Sequence, residues 1–181
     1  MNLKKLSAVQ KARRRSGISV LEMMVAGALA SLVFAATAMV WVFSARSFVA
    51  LGNYGDLDKA SRNALDLMSR DIRQTKGLNS YSSTSLTFQD WDNSDLTYVY
   101  DANARTLTRQ KSGVNTLLLG QCDFLNFNIS QRNPSNNFTF YAATNASLAK
   151  LVDVSWRCSR TILGSRINTE SVQTAKIVIR N

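Results

Sequence analysis

From Met23 to Phe43 the chain runs for 21 residues without a charge or a proline, mostly Ala, Val, Leu, Met and Phe. As a helix rising 1.5 Å per residue it measures about 31 Å, against about 30 Å for a bilayer's hydrocarbon core. A helix apolar on every side belongs in lipid or deep in a large protein, and this chain has room for only one small domain besides. The run therefore reads as a transmembrane helix. Lys4, Lys5, Lys11, Arg13, Arg14 and Arg15 precede it, with no acid among residues 1–17. The positive-inside rule keeps that end cytoplasmic and sends everything after Phe43 across the membrane. One residue breaks the pattern: Glu22, at the lip of the run, where an unpaired charge in hydrocarbon costs about 2.5 kcal/mol or more.

The leader also accounts for most of the net charge of +10, since it holds six of the 22 basic residues and leaves 16 against 12 acidic ones. That balance argues against nucleic acid as a partner; Arg157, Arg160 and Arg166 are the best candidates for a basic patch. There is no histidine, hence neither the commonest general base nor the commonest zinc ligand. No nucleophile elbow or phosphate loop occurs, so the sequence points to no catalytic residue, cofactor or metal. Asp92 and Asp95 lie in a turn-rich stretch and read as hydrated turn residues; two carboxylates are few for calcium. Cys122 and Cys158 form no C-x-x-C motif, and their separation fits a single disulfide in an oxidising compartment.

Several readings of the N-terminal segment compete. One is an ordinary signal anchor with Glu22 merely interfacial. Another is a secretory signal peptide cut at Ala36-Thr37-Ala38, which leaves the apolar Met39-Val40-Trp41-Val42-Phe43 as a new N-terminus. A coiled-coil start conflicts with a run that is apolar all round. The order Arg13-Arg14-Arg15-Ser16-Gly17, then Ile18-Ser19-Val20-Leu21-Glu22, then the apolar run, resembles the type III signal sequence of type IV pilins and pseudopilins. That resemblance implies cleavage between Gly17 and Ile18 by a membrane-embedded prepilin peptidase. It further implies methylation of the new Ile18 amine and retention of Glu22 for subunit assembly. Ile18 departs from the family's more usual phenylalanine or methionine. Physically, a carboxylate near the helix start can pair with a neighbouring subunit's amine inside an apolar bundle, which offsets the desolvation of both ions.

Beyond Phe43, Leu57, Ser61, Ala64, Leu65, Met68, Ile72 and Thr75 share one face at helical spacing, with Arg62, Asp66, Arg70 and Arg73 opposite. Arg62–Asp66 and Asp66–Arg70 are expected as ion pairs four residues apart. Lys76-Gly77 gives a helix stop, so one helix from Ile18 to Lys76 spans roughly 90 Å, with a bend or loosening expected at Gly52 and Gly55. The stretch LDLMSRDIRQT, Leu65 to Thr75, resembles PilW-type minor pilins and the J-type minor pseudopilins of type II secretion, as does the closing Ile177-Val178-Ile179-Arg180-Asn181. Asp71, flanking the apolar stripe, is a candidate helix-to-sheet contact.

Residues 77–181 alternate with period two, which predicts strands near Ser85–Gln89, Leu96–Tyr100, Thr106–Gln110, Thr116–Leu119, Asp123–Ser130, Phe138–Tyr141, Leu151–Ser159 and Ala175–Arg180. Residues 101–104 read as a hairpin turn and Arg160–Thr174 as a long loop. Val152, Val154, Trp156 and Cys158 face inward. Strict alternation from Leu125, Phe127 and Ile129 turns Cys122 outward, so a bridge requires a bulge near Asp123. The organisation is a cleaved leader at 1–17, a transmembrane half-helix at 18–43, an amphipathic half at 44–76 and a β-rich head at 77–181. The fold class is α+β, a long helix on an antiparallel sheet. The resemblance implies a minor pilin anchored in the inner membrane with a periplasmic head. Its partners are then the prepilin peptidase, other major and minor pilins and the assembly platform. A J-type pseudopilin, a DNA-uptake pilin and a signal-anchored periplasmic protein are the alternatives.

Overall fold

The structure, a computed structural model, describes residues 18–135, 139–161 and 170–179. The chain divides into two compact units, 1–44 and 45–181. One helix, α1 (Val20–Gln74), contributes to both.

In the first unit, α1 is long and apolar enough to cross a membrane. The hydroxyl of Ser31 donates to the carbonyl of Ala28 (2.8 Å), and that of Thr37 to Val33 (3.1 Å) and Phe34 (2.9 Å). Each small polar group thus finds a partner on its own helix, which lipid cannot supply.

In the second unit, α1 buries Leu57, Ser61, Ala64, Met68 and Ile72, the stripe that the periodicity predicts. It continues through Gly52 and Gly55 without interruption. Glycine costs about 1 kcal/mol in a helix interior, too little to break one already propagating from both sides. Arg62 pairs with Asp58 (2.8 Å) and not with Asp66; an acid four residues N-terminal to a base is the better orientation. The helix stops at Gln74, two residues short of the expected end. The Thr75 hydroxyl takes the Ile72 carbonyl (2.8 Å), and the Lys76 amide leaves for the Gln89 carbonyl (2.8 Å). Gly77 therefore opens a strand and does not cap the helix.

Among the described residues, nine antiparallel strands follow: β1 (Gly77–Tyr81), β2 (Ser85–Gln89), β3 (Asp95–Asp101), β4 (Thr106–Lys111), β5 (Val114–Leu119), β6 (Cys122–Arg132), β7 (Phe140–Ala142), β8 (Ala149–Ser159) and β9 (Glu170–Val178). They make two sheets, β1-β2-β3-β4-β5 and β7-β6-β8-β9, where the sequence predicts one. β1 is a strand that the alternation misses, because only Leu78 is a buried apolar residue in it and a bulge follows. β9 begins at Glu170, inside the expected loop; its first inward residue is the buried Ser171. The turn at residues 102–105 closes through the Asp101 carboxylate, which accepts the amides of Asn103 (2.8 Å) and Ala104 (3.1 Å). Ser112 and Gly113, both at positive φ (50° and 79°), make the two-residue turn between β4 and β5.

The inward faces of the two sheets and the α1 stripe form one core. Phe88, Leu96, Tyr98 and Leu107 come from the first sheet; Phe127, Val152, Val154 and Trp156 come from the second. The molecule is thus α+β, a long N-terminal helix packed on antiparallel sheets.

Candidate functional site

The site singled out by the sequence is the start of α1. Gly17 and the leader lie outside the described residues. Ile18 and Ser19 precede the helix, and Glu22 sits in its first turn, exposed. Ser19 is what starts it. Its Oγ accepts the amides of Leu21 (3.2 Å) and Glu22 (3.4 Å), and its carbonyl accepts the amide of Met23 (3.1 Å). Ser19 is therefore the N-cap and Glu22 the third helical residue, the S-x-x-E spacing of a capping box. This role was legible in the spacing, yet the charge pattern alone does not reveal it. A carboxylate there also faces the positive end of the helix dipole, worth about 0.3–1 kcal/mol.

Asp71 lies between α1 and the first sheet. Its Oδ2 accepts the Tyr98 hydroxyl (2.8 Å) and the Arg109 Nε–H (2.6 Å), joining α1 to β3 and β4. Burial pushes the Tyr98 phenol above its usual range, and the Asp71 charge adds to this. Burial alone would lower the Arg109 guanidinium; the hydrogen bond and charge of Asp71, together with Tyr98, outweigh that and raise it.

Cys122 and Cys158 are both buried and directly opposed across β6 and β8. The register shifts between Cys122 and Phe124, which is the bulge that turning Cys122 inward requires. Asp123, the extra residue, is held by an ion pair with Arg105 and by the Ser159 hydroxyl. No bond joins the two sulfurs in this structure.

The acidic turn between β2 and β3 is occupied from within. Lys111 bridges Asp90 and Asp92 (3.4 Å to the latter). Asp92 also accepts the Ser94 hydroxyl (2.5 Å) and amide (2.9 Å), hydrogen bonds that hold it below the usual carboxylate range. Asp95 accepts from Asn79 (3.2 Å). In the suggested basic patch, Arg160 is engaged by Gln121 (2.5 Å), Asn53 (3.2 Å) and Asp56 (3.4 Å), Arg157 is exposed, and Arg166 lies outside the described residues.

Among known proteins, the chain matches no family model and no curated protein.

Proposed function

We propose that this chain is a minor pilin of PilW type, a structural subunit made as a membrane precursor and built into a type IV pilus. The observation that carries the reading is Glu22. It is the one carboxylate at the head of a helix long and apolar enough to cross a membrane, five residues after Gly17 and behind a leader whose charged side chains are all basic. An α+β head with α1 packed on antiparallel sheets is consistent with a pilin layout. On this reading prepilin peptidase cuts after Gly17 and the Ile18 amine is methylated. The protein then stays in the inner membrane, head outward, until the assembly platform adds it to other pilins. There Glu22 pairs with a neighbouring subunit's amine, so that two ions costly in lipid satisfy each other.

The test is the first residue of the mature chain, read by N-terminal sequencing or intact mass of membrane extracts. Cleavage gives a chain starting at Ile18, and Gly17→Val leaves a full-length precursor. A mature chain starting at Met39 establishes a secretory signal peptide; that outcome, or an uncut chain in a host with active prepilin peptidase, overturns the proposal.

A further inference from the structure

We propose that Cys122 and Cys158 are joined by a disulfide that forms before residues 57–72 of α1 settle over them and is shielded from reductant afterwards. The two residues are register partners on adjacent antiparallel strands. The Ser159 amide donates to the Gln121 carbonyl (3.0 Å), one residue outside the pair, while the Cys122 amide turns away to Arg105 (2.9 Å). The cysteines thus occupy a non-hydrogen-bonded position, where opposed side chains lie closest and Cα atoms are typically about 4.5 Å apart. A disulfide spans Cα separations of about 4.4–6.8 Å. Both side chains point into the core because the bulge at Asp123 resets the alternation of β6, and Arg105 and Ser159 hold that bulge by binding the Asp123 carboxylate. Two sulfurs brought together by a bulge with its own dedicated ion pair form a built site. The Cys122 thiol donates to the Phe124 carbonyl (3.2 Å), and the interaction between the two sulfurs raises Cys122 and lowers Cys158.

The order follows from burial. Neither cysteine is more than 1% exposed. Ser61 of α1 is fully buried and accepts from Trp156 Nε1 (3.3 Å), and Leu57, Ala64 and Met68 on the same face belong to the core cluster that holds both cysteines, so the helix closes over the pair. An external disulfide must reach the sulfurs before that closure. One cysteine thiolate attacks it, forming a mixed disulfide and releasing one external thiolate. The second cysteine then attacks the protein sulfur of that mixed disulfide and releases the other. The Cys122–Cys158 bond forms, two electrons pass to the external disulfide, and the two cysteine protons end on its two thiols.

The proposal is independent of the pilin reading and is tested on the purified full-length chain in detergent. Unfolded under reducing conditions in urea and refolded in a mixture of oxidised and reduced glutathione, the chain should lose 2 Da and give a non-reducible-by-dilution tryptic pair linking Cys122 to Cys158. Two titratable thiols after such refolding overturn the bond. Folded, reduced chain given oxidised glutathione should react at least tenfold more slowly than the same chain in urea. Equal rates overturn the order of events. Folded, oxidised chain should likewise resist dithiothreitol until urea is added, and ready reduction without urea overturns the shielding.

Discussion

Glu22 meets two physical demands that substitution can separate. As the third residue after the Ser19 cap it gives its amide to the Ser19 hydroxyl and puts a carboxylate at the positive end of the helix dipole, and as a carboxylate it can pair with an amine. Glu22→Gln keeps a side chain suited to the capping box but removes the charge. If pairing is the role, Glu22→Gln and Glu22→Ala both insert and are cleaved, yet both fail to co-purify with other pilins after normalising for membrane level. Glu22→Asp, which keeps the charge on a shorter arm, should retain part of the association. Wild-type recovery of Glu22→Gln with loss in Ser19→Ala would make Glu22 a cap residue only; removing a serine cap costs about 1 kcal/mol. At this scale the sequence speaks through anomalies. A lone charge beside 21 uncharged residues stands out because lipid has no use for it. Ser19 does not stand out, because serine is ordinary everywhere and acquires meaning only from its spacing to Glu22.

Between elements, Asp71 ties the helix to the sheet more specifically than the apolar stripe does. Its partners Tyr98 and Arg109 are both mostly buried, so Asp71→Ala leaves a phenol and a guanidinium without their acceptor. The expected loss is about 2–4 kcal/mol in urea unfolding of the full chain. Asp71→Asn should cost less, since its carbonyl still accepts one bond. Arg109→Met combined with Asp71→Ala should recover part of the loss, and strict additivity of the two would show the ion pair to be inert. The stripe from Leu57 to Ile72 was legible because a period of 3.6 defines a face without reference to anything else. The partners of Asp71, 27 and 38 residues on, were not, because they depend on the register of β3 with β4. The start of β9 was hidden for a related reason: Ser171 faces the core while Val172 is exposed, so the polarity pattern there is inverted. The division into two sheets was equally invisible, since alternation marks a strand and not its neighbour.

For the molecule as a whole, the charge inventory sets the pH profile. With no histidine, no side chain of ordinary pKa titrates between pH 5 and 8, so stability should be flat through neutrality. Above that plateau Tyr98 and Tyr100 are both raised by burial, and Lys111 is raised by its hydrogen bond to Asp90. A raised pKa in the folded state means that the unfolded chain gives up the proton first. The stabilisation is therefore complete below about pH 10, the ordinary range of these groups, and declines as pH rises toward the folded values. Asp92 works in the opposite sense: lowered by Ser94, it contributes above about pH 4 and is lost as pH falls through its folded value. Urea unfolding of the oxidised full-length chain, followed by tryptophan fluorescence from pH 3 to 11, should give a plateau with one limb at each end. Tyr98→Phe should shallow the alkaline limb and leave the acid limb unchanged, while Asp92→Asn should do the reverse. A step between pH 6 and 8 would overturn this profile.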